Sequence, residues 1–211
     1  FSYRFSTRDR DTQVNGVQHE YMLNKRLSNI QISTNGFYLD NNLEVIQSTW
    51  KRFNADISFI NPILVPGYRY SLDQNRVVNK PADSVVSSAM YFDEHLYYLK
   101  NAPDKEWDFL LQHAVRYDKL PQNGEVESFT SSNTTQLTLG KNLGDDRLDI
   151  LFTYRELDQK LSGEVEETVS GRLEWSALML DDHLRSELTY AISNSQELRR
   201  EFVYIKVPTG E

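Results

Sequence analysis

The feature of this sequence that most constrains its fold is a period-two alternation of apolar and polar residues beyond residue 130. The alternation runs through residues 133–141, stops at Asn142-Leu143-Gly144-Asp145, and resumes over residues 148–155. Successive side chains of a β-strand point to opposite faces, so this pattern gives each strand one face for a core and one for water. Asn, Gly and Asp tolerate the positive φ angles of a tight hairpin turn. The segment therefore predicts an antiparallel hairpin.

The same alternation recurs toward the C-terminus. Residues 172–179 and 184–192 form a second predicted hairpin around a turn at Asp181-Asp182-His183. A further strand is predicted over residues 200–207, ending at Pro208 because proline lacks the N–H that a sheet ladder requires. Consecutive strands joined by short polar turns form a meander, and we expect strands of about 8–10 residues, above the usual length of about 5–6.

Two stretches interrupt the regular pattern. Residues 156–170 are acidic and predict a longer connection between strands. In the N-terminal half, the alternation over residues 27–35 is predicted to break at Gly36. A turn is predicted at Asp40-Asn41-Asn42, because Asn and Asp favour turns, and the alternation resumes at Leu43.

The middle of the chain is compatible with either secondary structure. Residues 82–90 follow a proline and place apolar side chains at helical spacing, which predicts a short helix. Residues 91–99 and 107–117 are separated by the turn-forming Asn101-Ala102-Pro103-Asp104, which favours strands over helices. The alternation that resumes at Leu43 is expected to be interrupted at Pro62, Pro66 and Gly67.

These patterns predict an all-β, mainly antiparallel fold. A meander of long hairpins forms a sandwich, an open sheet or a barrel-like sheet, with at most a short helix near residues 82–90. We divide the chain into an N-terminal β region with an irregular middle, residues 1–120, and a regular antiparallel meander, residues 121–211. One continuous domain is the alternative. Because the chain begins at Phe1, we interpret it as a fragment of a longer protein.

Composition excludes several classes of function. The 211 residues carry a net charge of −8, with a pI of about 5.1 and dispersed Lys and Arg, which opposes binding to nucleic acid. There is no cysteine, which removes disulfides, thiolate nucleophiles and thiolate metal ligands. Runs of about 18 apolar residues are absent, so no transmembrane helix is expected.

The sequence contains no recognisable catalytic motif. Phosphate-binding glycine loops and nucleophile-elbow patterns do not occur, and the four histidines are far apart in sequence. The carboxylate pairs Asp145-Asp146 and Asp181-Asp182 lie in predicted turns, whereas a glycoside hydrolase needs two carboxyls across a cleft. We therefore predict no catalytic residue, no metal site and no cofactor, and we do not expect an enzyme.

Aromatic side chains provide the candidate binding surface. Exposed rings stack on sugar rings, and aromatic residues make up 12% of this chain, enough to supply such a surface. The alternative is that the rings fill a β core. The candidate ligand-binding residues are Trp50, Trp107, Trp175, Tyr68 and Tyr70.

Several short sequence strings, distributed over the chain, are similar to sequences from one group of proteins. They are Val65-Pro66-Gly67-Tyr68-Arg69-Tyr70-Ser71, Asn75, Arg116-Tyr117-Asp118 with Pro121, Tyr154-Arg155, Arg199-Arg200-Glu201-Phe202-Val203-Tyr204, and Val207-Pro208-Thr209-Gly210. With them the chain resembles the large, β-rich exported cell-envelope proteins of Bacteroidetes, whose role is uncharacterised. The resemblance implies export and a longer parent protein, and it supplies no catalytic residues.

Four functions remain open at this point. The first is a non-catalytic, water-soluble envelope module that serves as scaffold or interaction surface, exported to the periplasm, the cell surface or the outer membrane. The second is a carbohydrate-binding β module, and the third is a segment of an outer-membrane β-barrel, since barrel strands also alternate. Against the barrel, the apolar faces are diluted by Ser186 and by the polar residues of segment 28–35. A glycoside hydrolase-like domain is the fourth. The expected partners are a glycan or another envelope protein.

Overall fold

The computed structural model describes residues 1–10, 14–86, 90–102, 106–122, 125–144, 146–179 and 184–194. Within these ranges the chain consists of strands and short turns, and the all-β prediction is confirmed. The predicted turn at Asp181-Asp182-His183 and the predicted strand over 200–207 lie outside the described residues.

The strands follow one another along the chain with short connections. They are β1 (Ser2–Arg10), β2 (Val14–Leu27), β3 (Ile30–Leu43), β4 (Ile46–Phe59), β5 (Leu64–Asn79), β6 (Ser84–Val85), β7 (Met90–Asn101), β8 (Trp107–Gln122), β9 (Glu125–Leu143), β10 (Asp146–Gln159), β11 (Glu164–Met179) and β12 (Leu184–Asn194). Most are longer than expected, since β9 has 19 residues and β5, β8 and β11 have 16.

All the strands belong to one antiparallel sheet. Its order is β1-β2-β3-β4-β5-β7-β8-β9-β10-β11-β12, so neighbours in sequence are neighbours in space, and β6 pairs with the end of β5. This is the predicted meander, in the form of an open sheet. Strands β8 and β9 pair across the division proposed at residue 121, where Pro121 lies opposite Val126.

The predicted break at Gly36 and the turn at Asp40-Asn41-Asn42 are wrong, because β3 continues through both to a turn at Glu44-Val45. The cause is a contact between strands. The ring of Tyr21 on β2 lies against Gly36, and a Cβ there would be only 2.0 Å from Tyr21 Cε1. Glycine therefore makes room for an aromatic ring within the strand.

The predicted acidic connection is also wrong. Strand β10 continues to Gln159, a turn at 160–163 uses Gly163 at a φ of +69°, and β11 begins at Glu164. Acidic residues near these strand ends occupy strand positions in which Glu164 lies opposite Gln159. The predicted interruption at Pro62 is confirmed, because Pro62 lies in the turn at 60–63, whereas β5 runs through Pro66-Gly67.

The middle of the chain forms strands, as favoured from the sequence, in β7 and β8. The described part of segment 82–90 contains no helix. Asp83 has a φ of +45°, which a right-handed helix does not allow, and Ser84–Val85 form β6. The Val86 N–H donates to the Val77 carbonyl at 2.9 Å, which fastens the connection to β5.

One irregularity occurs between β8 and β9. Asp118 lies opposite Thr130 and Lys119 lies opposite Ser128, so Phe129 has no partner across the ladder. This is a β-bulge, in which one extra residue shifts the register of a strand pair.

The sheet has very little buried interior. The buried hydrophobic side chains among the described residues are Val65, Ala102 and Ala177, and many large apolar side chains are exposed. A second layer of secondary structure does not cover either face of the described sheet. How the residues divide between the two faces therefore decides what the sheet contacts.

Candidate functional site

The strand registers sort the side chains onto two faces, because residues directly opposite in an antiparallel ladder point to the same side. One side, called the apolar face, carries aliphatic and aromatic residues on every long strand. On β4, β5, β7 and β8 these are Phe53, Ala55, Ile57, Phe59, Tyr68, Tyr70, Leu72, Tyr97, Leu99, Trp107, Phe109, Leu111, Val115 and Tyr117.

The other side, called the polar face, carries most of the ion pairs. Eight of the ten ion pairs among the described residues lie there, which assigns the charges to one side of the sheet. They extend from β1, where Arg4 contacts Glu20 at 3.5 Å, to β12, where Arg185 contacts Glu187 at 2.8 Å. A charged lattice of this kind is stable beside water, because removing water from exposed charges costs free energy.

Trp50 is held within this polar lattice. Its indole Nε1 donates a hydrogen bond of 2.7 Å to Asp73, and the Arg52 guanidinium lies 4.7 Å from the ring centroid. Arg52 also donates to the second oxygen of Asp73 at 3.0 Å. The ring of Phe37 meets Trp50 edge-on at 5.1 Å. The edge and one face of the Trp50 ring are therefore already in contact with other side chains.

A second lattice centre is Asp56. One carboxylate oxygen accepts a hydrogen bond of 2.9 Å from the Tyr98 hydroxyl, and the other accepts one of 3.0 Å from Arg69 Nε. The Tyr98 ring covers Gly67, where a Cβ would lie 2.1 Å from Cζ of Tyr98. Desolvation by burial, reinforced by the hydrogen bond to Asp56, raises the pKa of Tyr98 above its ordinary value.

Arginines continue the lattice across the later strands. Arg116 on β8 binds Asp118 at 2.8 Å, and its guanidinium lies 4.1 Å from the centroid of the Phe92 ring. The hydrogen bond to Asp118 raises the pKa of Arg116. Arg147 on β10 contacts Asp149 of its own strand at 2.7 Å and Asp108 of β8 at 3.2 Å, thereby linking β10 to β8 across β9.

Surface depressions also lie mainly on the polar face. One, of about 550 Å³, lies over β1 to β4 and includes Glu20, Asn35 and Arg52 in its lining. Another, of about 200 Å³, lies over β10 to β12 between Arg147 and Glu187. The polar face is therefore grooved as well as charged.

An aromatic cluster lies on β5 and β7, the central strands of the apolar face. The Tyr68 hydroxyl shares a hydrogen bond of 2.8 Å with His95 Nδ1, and the Tyr68 and Tyr97 ring centroids are 5.2 Å apart. Tyr70 packs against His95 at 5.1 Å. Asp93 lies 3.8 Å from His95 Nε2. Burial first, then the charge of Asp93, raises the pKa of Tyr70.

The apolar residues form a band that crosses the strands obliquely. Its position is measured from a row of directly paired residues that starts at Thr34 on β3 and ends at Glu156 on β10. That row is Thr34, Ala55, Tyr70, His95, Val115, Asn133 and Glu156. On β3 the apolar residues lie on both sides of Thr34, whereas on β10 they lie at 148–154, all on one side of Glu156.

This displacement has a simple geometric meaning. A shift of about five residues at about 3.4 Å each, over six strand spacings of about 4.8 Å, corresponds to strands inclined by about 30° to the normal of the band. The band covers seven residues on β4 (53–59) and β10 (148–154) and eleven on β8 (107–117), which at this inclination gives a height of about 20–30 Å. The apolar face therefore presents a level stripe crossed by tilted strands.

Charged residues lie at the borders of this apolar band. At one border are Lys51, Asp93, Lys119, Glu156 and Glu167, all on the apolar side of the sheet. At the opposite border Lys141 lies across the ladder from Trp107, and Leu148 lies between Lys141 and Trp175. Lys25 is the described exception, one residue pair inside this border.

The five aromatic candidates predicted from the sequence do not form one site. Trp50 lies on the polar face, whereas the other four lie on the apolar face. Tyr68 and Tyr70 belong to the central aromatic cluster, and Trp107 and Trp175 mark one border of the apolar band. Sequence reasoning missed the arginine lattice and the band, because both depend on the register between strands.

The carboxylates and histidines do not assemble into a metal centre within the described ranges. No group of three or more His, Asp or Glu side chains there is arranged to hold a metal ion. Asp146 lies opposite Leu143 at a strand end, and its predicted partner Asp145, like Asp181-Asp182, lies outside the described residues.

Comparison with known proteins adds no identity. No protein-family profile matches the chain, and no curated protein matches it. Among the described residues, no helix has the length and apolar character needed to cross a membrane.

Proposed function

We propose that this chain is a non-catalytic, exported cell-envelope module whose interaction surface is a lipid bilayer, as a segment of an outer-membrane β-barrel wall. The observation that carries the proposal is the oblique apolar band on one face of a sheet whose other face is a lattice of ion pairs. In this arrangement the apolar face contacts lipid and the polar face contacts water.

The dimensions of the band support a bilayer as its partner. Strands that cross an outer membrane need about 9–11 residues, and the hydrocarbon core is about 30 Å thick. The band covers seven to eleven residues per strand, and its inclination of about 30° is close to the 35–45° of membrane barrels. An oblique band is expected when tilted strands cross a planar slab, because the slab and not the hydrogen-bond register decides which residues are apolar.

The absence of a covering layer on the described sheet points the same way. Monomeric soluble proteins rarely expose contiguous apolar patches larger than a few hundred Å². Here Ile57, Phe59, Leu111 and Phe152 are each at least 40% exposed and belong to one band. Lipid tails would cover these side chains without any second protein layer.

The register explains the dilution of segment 28–35 that argued against a barrel, whereas Ser186 lies on the apolar side, opposite Ala177. In segment 28–35, Ile30, Ile32 and Thr34 point to the apolar face, whereas Gln31, Ser33 and Asn35 point to the polar face. The polar residues therefore belong to the water-exposed side. This favours the membrane wall over the water-soluble module that ranked first on sequence alone.

The carbohydrate-binding alternative has less support. Sugar stacking requires free ring faces beside polar groups. On the polar face Trp50 is already engaged by Arg52, Asp73 and Phe37. The remaining candidates share their face with aliphatic side chains.

A pair of adjacent substitutions tests the proposal. Leu137 lies at the centre of the band on β9, and Thr138 is the next residue on the polar face. We expect Leu137→Arg to lower the free energy of unfolding in vesicles by about 2–4 kcal/mol, because an Arg side chain on the lipid-facing midplane costs about that much. Thr138→Arg should change it by less than about 1 kcal/mol, because its side chain points to water.

The measurement is urea unfolding of the chain in phosphatidylcholine vesicles, followed by tryptophan fluorescence and by flotation with the vesicles. Equal effects of the two substitutions would contradict the assignment of the faces. Failure of the unsubstituted chain to float with the vesicles would contradict the membrane wall itself.

A further inference from the structure

The two ends of the sheet differ in how far the strands extend beyond the apolar band. The proximal end carries the turn Ser28-Asn29, the turn at 60–63 and the connections after β7, β9 and β11. The distal end carries the turn Glu44-Val45, the turn at 160–163 and the connections after β1, β5 and β8. Each end thus has every second connection of the meander.

At the proximal end the sheet stops where the band stops. Leu27 and Ile30 lie opposite each other directly beside the turn Ser28-Asn29. Trp107, at the border of the band, is the first residue of β8. No polar continuation of these strands projects beyond the band at this end.

At the distal end the strands continue past the band, and the apolar side of the sheet becomes polar. The residues of that side on β3 to β5 change from Tyr38, Phe53 and Leu72 to polar and charged ones within one or two residue pairs. These distal residues of the apolar side are Asp40, Asn42, Gln47, Thr49, Gln74 and Arg76.

Hydrogen bonds show that the distal extension is a built structure. Asp40 accepts hydrogen bonds from Thr49 Oγ1 at 3.1 Å and from Gln47 Nε2 at 3.3 Å. The long connection is also fastened to its neighbour, because the Lys80 N–H donates to the Val45 carbonyl at 2.9 Å. Strand β9 extends about eight residues beyond the band, which at about 3.4 Å per residue and 30° of tilt is more than 20 Å.

We propose that the distal end is the outward side of the membrane, where the sheet rises as a polar wall above the lipid, and that the proximal end is flush with the inner surface. This inference rests on the proposed membrane location. It follows from the asymmetry of outer-membrane barrels, which have short turns on the periplasmic side and longer segments on the external side. The partner of the apolar band is then lipid, and the outer side of the wall contacts water.

The lack of cysteine in the chain allows a direct test by single-cysteine labelling. Three variants are compared in intact cells that carry the protein in their outer membrane, with a bulky, membrane-impermeant maleimide as the probe. Arg76→Cys reports the distal wall, Asn29→Cys the proximal turn and Ile57→Cys the lipid-facing band. The cysteine-free protein gives the background.

We expect Arg76→Cys to react in intact cells, and Asn29→Cys to react only after the outer membrane is permeabilised. Ile57→Cys should react only after denaturation. Reaction of Asn29→Cys in intact cells, or protection of Arg76→Cys there, would overturn the sidedness while a protected Ile57→Cys keeps the membrane wall. Ready labelling of Ile57→Cys in the native protein would overturn the membrane wall and with it the sidedness.

Discussion

At the scale of single residues, Gly67 makes room for a side chain of the neighbouring strand. The Tyr98 ring lies directly over it and is anchored by the hydrogen bond from its hydroxyl to Asp56. We expect Gly67→Ala to lower the free energy of unfolding by about 1–3 kcal/mol, because the added methyl displaces an anchored ring. The measurement is urea unfolding in detergent micelles.

Gly171→Ala is the matched control for this substitution. A Cβ at Gly171 would meet Ile192 at 3.4 Å, close to ordinary contact, and no φ in the left-handed region is involved. We expect this variant to unfold within about 0.5 kcal/mol of the unsubstituted chain. Equal losses at both glycines would show that the Tyr98 contact does not stabilise the sheet.

The hydroxyl of Tyr98 also makes the free energy of unfolding depend on pH. Because its pKa is raised in the folded state, its contribution to stability is fully present below the unfolded value of about 10. The contribution is lost as the pH rises through the raised folded value. Tyr98→Phe should therefore reduce the loss of stability above about pH 10, measured by urea unfolding at several alkaline pH values. An unchanged slope in the variant would contradict the role of Tyr98.

At the scale of elements, the oblique band predicts where each strand is sensitive to charge. Thr34 is polar, yet it lies at the band centre on β3, whereas Asn42 on the same strand lies beyond the border. We expect Thr34→Arg to destabilise the chain in vesicles by about 2–4 kcal/mol, because the guanidinium would face lipid. Asn42→Arg should have an effect within about 0.5 kcal/mol, because Asn42 is exposed. Comparable unfolding curves for the two variants would contradict the position of the band.

The sequence predicted the elements whose alternation is local, and it failed where an element depends on its neighbour. The hairpin around residues 142–145 and the strands β7 and β8 followed from period-two patterns and turn residues. The continuation of β3 through Gly36 did not, because the ring that stabilises it comes from Tyr21 on β2. The acidic residues near Glu164 form strand ends, yet their sequence predicts a connection, because they lie outside the apolar band, where alternation is weak.

The candidate site was even less accessible from the sequence. Single strands showed which residues alternate, so an apolar and a polar face were foreseeable. The position of the band depends on the relative phase of all strands, which is set by turns such as Ser28-Asn29 and by the bulge at Phe129. The pairing of Arg147 with Asp108, 39 residues away in sequence, required β8, β9 and β10 to be aligned.

At the scale of the whole molecule, a sheet with one uncovered apolar face should depend on an apolar environment. We expect the chain to be a monodisperse β-rich species in detergent micelles and to associate non-specifically in plain buffer, because exposed apolar area drives association. Light scattering and circular dichroism under both conditions give the measurement. A monodisperse, cooperatively folded species in plain buffer would contradict the membrane wall.

The bulge at Phe129 has a consequence for how this sheet tolerates changes in length. One extra residue reverses which side each later side chain of β9 occupies, so that Val126 and Ser128 share a side with Pro121 and Lys119. In the proposed membrane wall the bulge lies outside the hydrocarbon layer, so this inversion exchanges one hydrated position for another. A single insertion between Thr135 and Leu139 would instead turn Gln136 and Thr138 toward the proposed lipid face, so we expect β9 to tolerate an added residue at the bulge and not within the band.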